Sequence, residues 1–308
     1  MRRWSLRLLA IVAALVIAAG AAWRWLNAAE APPEVSDYEI SVEELRQLAE
    51  AIPGDAPIAV RSELVSITSM PRAAVFAGES FAPHPMSHQV FQIVWPDRFI
   101  LVDTAFPRET MAQMDSKGTF HDDRFERVLG AMKSAARILI THEHFDHLAG
   151  AGRYQPPEGL AGRLQLTTRQ LANADALAQA KLPDAMVRSL TPLEYDRIAA
   201  IEPGVVLLAA PGHTPGSQLV YVRTQDGREL LLVGDVAWHG DQILELHYRP
   251  RLVTDFFLHE DRRAVLAQLR TLHDLVRDRP EIAVVVSHDR DQRARWIGSG
   301  VLEDGLAP

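Results

Sequence analysis

The 308-residue chain predicts an α/β fold behind an N-terminal hydrophobic segment, and three observations carry that expectation. Short apolar runs rich in Val, Ile and Leu recur along the chain, as in strands buried on both faces. Segments of helical periodicity lie between them, such as the face Phe125, Val128, Leu129 and Met132. A continuous apolar stretch, residues 8–23, follows Arg2, Arg3 and Arg7. Apolar residues make up 47% and charged residues 23%, ample for one large globular unit. A net charge of −8 leaves no basic footprint for nucleic acid. The absence of cysteine rules out disulfides and thiolate metal ligands.

The apolar stretch runs for about 16 residues, short of the roughly 20 that a spanning helix uses. Ala29-Glu30-Ala31 reads as a small-residue cleavage site, whereas Trp23 and Trp25 suit an interfacial anchor. Residues 1–31 are therefore a signal peptide or a membrane anchor, the anchor being preferred, with membrane contact through residues 4–25. Arginines kept inside place the rest of the chain outside the cytoplasm, in the periplasm or at the cell surface. Residues 32–54 form a linker and a short helix. Ser41-Val42-Glu43-Glu44 is a capping box ahead of Leu45 and Leu48, so a helix spans 42–51 until Pro53-Gly54. The main globular domain then occupies residues 55–308. Strands are expected over 58–66 and 73–77, and 89–95 pairs with 98–102 across Pro96-Asp97. The stretch from Phe81 to His88 reads as a loop. A helix covers 122–135, a strand 136–141, and residues 167–200 are helical. Strands follow at 205–210, 218–223, 229–233 and 282–287, the middle pair joined as a hairpin near Asp226-Gly227. An amphipathic helix covers 261–277, with Val265, Leu266, Leu269, Leu272 and Val276 on its apolar face.

The chemistry concentrates in Thr141-His142-Glu143-His144-Phe145-Asp146-His147. Imidazole and carboxylate suit zinc and the neighbouring divalent metals. His142 and His144 are two apart at the end of an apolar strand and project the same way. Asp146 and His147 follow in the loop and can face a second metal. Three further apolar runs lead into His213, Asp235 and His288. Four strands thus end in a candidate ligand, and strand ends gathered at one sheet edge build one site from distant residues.

The pattern His142-x-His144-x-Asp146-His147, with His213 in Pro-Gly-His-Thr-Pro-Gly-Ser, Asp235 in Gly-Asp and His288 in Ser-His-Asp, resembles the metallo-β-lactamase superfamily of hydrolases over roughly residues 58–295. That resemblance implies a four-layer αββα sandwich with the site at one edge of two sheets. It implies two divalent metal ions, zinc by default. His142, His144 and His213 would hold one, and Asp146, His147 and His288 the other, with Asp235 bridging. A metal-bridging hydroxide would attack an ester-type carbonyl, and Asp146 would also shuttle a proton to the leaving group. Asp103, in Leu-Val-Asp-Thr, resembles a strand end common in the superfamily and is expected to orient a ligand. Glu143 is expected to point away from the metals, to the surface or behind a ligand, and Ser287 and Asp289 to support His288. Phe81 and Met86, in a loop that often covers the site in the family, are expected to form an apolar wall for a small-molecule substrate. Lacking cysteine, the chain is unlike the β-lactamases that use a thiolate. His144 stands where flavodiiron oxidoreductases carry Glu. Residues 287–292, Ser-His-Asp-Arg-Asp-Gln, resemble the acyl-homoserine-lactone lactonases, so lactone opening is the first expectation. A glyoxalase II-like thioesterase or a β-lactamase-type hydrolase is the alternative, and a non-catalytic membrane-tethered metal-binding module the remote one. One departure stands out. Those lactonases often place a tyrosine three residues after the bridging aspartate, and this chain has Trp238, which offers only an indole N–H.

Overall fold

The computed structural model describes residues 2–307. The chain begins with α1 (Arg2–Asn27) and α2 (Val42–Ala49), then β1 (Ala59–Pro71), α3 (Arg72–Val75), β2 (Pro83–Val94), β3 (Phe99–Val102), α4 (Arg108–Met114), β4 (Thr119–Phe120) and α5 (Asp122–Met132). Next come β5 (Arg137–Leu139), α6 (Phe145–Leu148), β6 (Leu164–Gln165), α7 (Thr168–Ala172), α8 (Ala174–Gln179), α9 (Asp184–Ser189), β7 (Ile198–Glu202), β8 (Val205–Ala209), β9 (Gln218–Arg223) and β10 (Glu229–Leu232). The last elements are α10 (Gly240–Leu244), α11 (Arg251–Thr254), α12 (Arg262–Asp278), β11 (Ile282–Val285), α13 (Arg290–Gly298) and β12 (Glu303–Asp304).

The strands form two sheets, ordered β12-β1-β2-β3-β5-β6 with β4 on β1, and β11-β10-β9-β8-β7. The period of two along each strand builds the layers. In the second sheet Val205, Leu207, Val220, Val222, Leu230, Leu232 and Val285 face Val60, Phe91, Ile93, Ile100, Val102 and Leu139 of the first. The alternate residues Val206, Leu208, Leu219, Tyr221, Leu231 and Val284 turn outward onto Leu45 of α2 and Val265, Leu269 and Leu272 of α12. Leu101 and Ile138 turn outward from the first sheet onto Phe125, Val128 and Met132 of α5. The result is the expected αββα sandwich, with the amphipathic faces of α5 and α12 buried as their periodicity requires.

Strand direction explains how distant residues meet. β3 runs parallel to β5, and β10 runs parallel to β11. β9 is antiparallel to both β8 and β10, so β8, β10 and β11 all run the same way. Their C-terminal ends lie at one edge of the sandwich. The N-terminal half of β2, antiparallel to β3, comes to the same edge.

Three local expectations need correction. Residues 73–77 are not a strand. β1 extends to Pro71 in a long hairpin with β2, in register Pro71 to Pro83, and the reversal between them holds α3, whose alanines favour a helical turn. Residues 83–88 are not a loop but the start of β2. Exposed Pro83 and Pro85 alternate with buried His84 and Met86, a strand period hidden behind two prolines. Residues 167–200 are helical only in part: Asn173 and Pro183 break the stretch into α7, α8 and α9, and Ile198–Glu202 forms β7. β7 pairs with β8 across a turn where Gly204 takes a φ of +80°.

α1 differs from every other helix. Residues Leu6–Asn27 are long and apolar enough to cross a membrane and none is buried. The C-terminal end of α1 touches the sandwich. Trp23 stacks on Phe81 with ring centroids 6.5 Å apart, and Arg251 lies over the Trp25 ring at 5.1 Å.

Candidate metal centre

At the shared edge the backbone first makes room for the histidine loop. Asp103 and Ala105, just past β3, take positive φ values of 65° and 53°. Gly150 follows α6 so closely that a Cβ there would lie 2.0 Å from the Thr104 carbonyl oxygen. Gly234, at φ +52°, brings the end of β10 against Thr141, where an added Cβ would approach the threonine Cβ to 3.0 Å.

The seven residues expected from sequence all converge there. The donor atoms of His142, His144 and His213 form one group. Those of Asp146, His147, Asp235 and His288 form a second, and within each group all lie within 4.8 Å of one another. The Asp235 carboxylate lies between the groups. Its Oδ1 is 3.2 Å from His147 Nε2 and 3.0 Å from His288 Nε2. Its Oδ2 is 3.5 Å from His213 Nε2 and 3.7 Å from His142 Nε2. Asp146 Oδ2 is 3.5 Å from His288 Nε2 and 3.7 Å from His147 Nε2.

Hydrogen bonding behind the rings fixes which nitrogen faces inward. A carboxylate only accepts, so His147 Nδ1 donates to Asp103 Oδ2 at 2.7 Å and His213 Nδ1 donates to Glu260 Oε1 at 2.6 Å. His288 Nδ1 donates to the Ser87 carbonyl at 2.7 Å. Each ring then turns its Nε2 toward the centre. Inward nitrogens approach one another closely, 3.4 Å between His147 and His288 and 3.0 Å between His213 Nε2 and His144 Nδ1. His142 Nε2 and Asp235 Oδ1 are buried with no hydrogen-bond partner. Facing ring nitrogens and orphaned acceptors in a buried pocket call for a cation. The donor set, imidazole plus carboxylate, fits zinc or a similar divalent ion in each group.

Charge follows the same logic. Burial pushes the rings of His142 and His144 down, His144 to about 4, and the neighbouring histidines push the same way. His147 and His288 are held up against burial, His147 by Asp235, Asp103 and Asp146, and His288 by Asp235 and Asp146. Burial opposes ionisation of Asp146 and Asp235, yet the surrounding histidines hold both well below the usual carboxylate range.

Asp103 orients His147, as expected, and also accepts from the backbone N–H and hydroxyl of Thr141. Glu143 points away from the centre, but it is fully buried rather than at the surface. It accepts from Thr214 Oγ1 at 2.7 Å and Asn173 Nδ2 at 3.1 Å, fastening the first histidine loop to the loop that carries His213. His288 is not held by its neighbours. Asp289 caps α13 and accepts from Gly240 N–H, while the Ser287 carbonyl accepts from Gln89. Phe81 is exposed on Trp23, whereas Met86 is buried with Trp238, Phe76 and Val75.

Three participants, Glu260, Arg249 and His88, escaped the sequence reading, and Trp238, singled out there, acts on a ligand. Glu260 is buried among His213, Tyr248 and Arg249, with the Arg249 Nη2 at 2.7 Å. Arg249 is fully buried, donates to the Asp235 carbonyl and stacks over the Trp238 ring at 4.3 Å. His88 lies 3.6 Å from Asp146 Oδ2, and burial pushes its ring down to about 4. Trp238 turns its indole N–H onto Asp235 Oδ2 at 2.7 Å.

The metallo-beta-lactamase superfamily model matches residues 91–288, more than half of the chain. The chain belongs to the metallo-beta-lactamase superfamily. Among its relatives, an N-acyl homoserine lactonase of Bacillus sp is 27% identical over 154 residues, 45% of this chain and 59% of that protein. This match thus spans less than two thirds of the relative's length. A Bacillus thuringiensis N-acyl homoserine lactonase is 23% identical over 212 residues, 63% of this chain and 77% of that protein. Solved structures share the fold of this superfamily member. An N-acyl homoserine lactone hydrolase with N-hexanoyl-L-homoserine product at its catalytic metal centre superposes with TM-score 0.62 at 17% identity, covering 78% of this chain and 96% of that one. A dizinc quorum-quenching lactonase gives TM-score 0.50 at 14% identity, with coverage of 75% and 86%.

Proposed function

We propose that this protein is a dinuclear metal-dependent hydrolase that opens an N-acyl homoserine lactone or a closely related lactone. The observation that carries the reading is the Asp235 carboxylate, which lies between the two groups of inward-turned donors, Oδ1 toward His147 and His288 and Oδ2 toward His142 and His213 as well as His288. His142, His144 and His213 would hold one ion, and Asp146, His147 and His288 the other, with Asp235 shared. Bound zinc would lower the pKa of a water toward about 7 and polarise the lactone carbonyl. Asp146, 14% exposed and beside His288 and His147, is placed to carry a proton between solvent and the leaving alkoxide. His88 lies beside it, its Nδ1 3.6 Å from Asp146 Oδ2. Met86, Phe76 and Trp238 form a buried apolar cluster behind Asp235.

The indole N–H of Trp238 is engaged by Asp235, so this residue contributes no donor to the substrate. That supports a thioester as the second reading, since thioester cleavage depends less on a directed hydroxyl. The test is proton release in weakly buffered solution by the zinc-loaded full chain, offered a short-chain and a long-chain acyl-homoserine lactone, with His288→Ala as control. Rapid acidification abolished in the control supports lactonase chemistry. Silence from a protein shown to hold two metals rejects it and moves the reading to thioesters and β-lactams.

The same chain supports an anchored protein lying outside the cytoplasm. Glu30 sits on the far side of α1 from Arg2, Arg3 and Arg7 and pairs with Arg251 and with Arg262, the latter at 2.8 Å. The Arg262 side chain is only 8% exposed. Cleavage after Ala31 would remove its carboxylate partner, which favours retention of α1 as an anchor over its loss as a signal peptide.

A further inference from the structure

Soluble proteins seldom expose large aromatic side chains in a cluster. Here Phe81, Phe256 and Phe257 are exposed at 68%, 58% and 75%, and Leu252 at 42%. Phe81 and Leu252 lie where α1 meets the sandwich: Phe81 stacks on Trp23, and α11, which carries Leu252, packs against α1. Phe256 and Phe257 follow α11 in a turn closed by hydrogen bonds from the Phe257 and Leu258 N–H groups to the Val253 carbonyl. The backbone there is fixed, so the two rings are presented rather than loose. The patch also connects to the metal centre. Val253 and Leu258 pack on the cluster of Phe76, Met86 and Trp238, and Trp238 holds Asp235.

We propose that this patch is a second membrane contact, by which the sandwich lies on the bilayer that carries α1 and brings the Met86–Trp238 side of the metal centre to the lipid surface. The proposal rests on the reading of α1 as an anchor and commits to a lipid surface as the occupant. Continuity with α1 argues for it. A helix in the bilayer that ends against Phe81 and α11 holds those residues at the interface, the depth where amphipathic and aromatic side chains are most favourable. Arg251 and Glu30 are already paired at this junction, so that pair does not oppose insertion of the neighbouring rings.

The chain has no cysteine, so single labels can be placed cleanly. Spin labels at Val16→Cys, Phe81→Cys, Leu252→Cys, Phe257→Cys and Asp226→Cys, one per full-length protein in phosphatidylcholine nanodiscs, would be read by power saturation against oxygen and a water-soluble nickel chelate. Asp226 lies in the β9–β10 turn, at the end of the sheet away from the metal centre. The expected result is oxygen-dominated collision at 16, 81, 252 and 257 and nickel-dominated collision at 226. Lipid contact at 16 with nickel-dominated collision at 81, 252 and 257 overturns the proposal while the anchor stands. Nickel-dominated collision at 16 overturns both. Labels at 81 and 252 decide the matter if the variant at 257 fails to fold.

Discussion

Trp238 and Glu260 show how single side chains set the centre without touching a substrate. The Trp238 indole donates to the shared Asp235 carboxylate and is clamped from behind by Arg249. Trp238→Phe keeps the apolar face and removes the N–H, so metal affinity is expected to fall about 10–100-fold, as for other groups that orient ligands. Competition with a chromophoric chelator measures the change, and an unchanged melting temperature would separate lost orientation from lost folding. Glu260 neutralises fully buried Arg249 and orients His213. Burial opposes its ionisation, but Arg249 and the His213 N–H hold its carboxyl below the ordinary value. A carboxyl depressed in the folded state contributes stability above its unfolded pKa of about 4.3 and loses it as the pH falls through the folded value. Glu260→Gln strips the buried guanidinium of its countercharge and is expected to cost about 3–5 kcal/mol at neutral pH, the cost of breaking a buried pair. Because the glutamine does not titrate, urea melts of the metal-free variant should vary less with pH below about 4.3 than those of the parent chain.

At the scale of elements, what the sequence made legible was a local rule: an apolar strand, then a ligand. It pointed to His142, His144, His213, Asp235 and His288, which follow β5, β8, β10 or β11 within about five residues, and to Asp146 and His147, which follow on α6. It also found Asp103 at the end of β3 and the faces of α5 and α12. The outer layer of the site was not legible, because its contacts join residues with no local relation. Glu260 reaches His213 across 47 positions and the Ser87 carbonyl receives His288 across 201. His88 lay concealed in a proline-rich stretch that reads as a loop until β1 is seen to pair with it. Glycines that permit close approach were equally silent in the sequence. Gly150 lets the turn after α6 lie against the end of β3, where Gly150 N–H reaches the Ala105 carbonyl. Gly150→Ala forces a Cβ onto the Thr104 carbonyl oxygen, and a loss of about 3 kcal/mol in chemical denaturation is expected from overpacking against backbone. The displaced α6 carries Asp146 and His147, so zinc stoichiometry should fall toward one per chain. A variant that bound two ions with parental affinity would show that α6 is placed by other contacts.

For the whole molecule, the question is how a site at a sheet edge relates to a helix that is apolar on every side. The centre, the cluster of Phe76, Met86 and Trp238, and the exposed Phe256 and Phe257 follow one another outward from Asp235. If that series ends in lipid, the bilayer serves as the reservoir for lipophilic substrates, and the aromatic patch should matter only for them. A short-chain lactone dissolves in water and reaches the centre directly, so its turnover should not depend on the patch. A long-chain lactone partitions into the bilayer and must pass along it. The double variant Phe256→Glu, Phe257→Glu places two charges at the interface without altering any donor of the metal centre. In nanodiscs its KM for a dodecanoyl lactone is expected to rise about fivefold, equivalent to about 1 kcal/mol, with kcat unchanged. The KM for a butanoyl lactone should stay at the parental value. In detergent micelles, where no extended surface is present, the difference between the two chains should shrink for parent and variant alike. An equal rise in KM for both substrates would place the patch in the path of every substrate and leave the bilayer without a part in substrate delivery. No change for either would detach the patch from turnover.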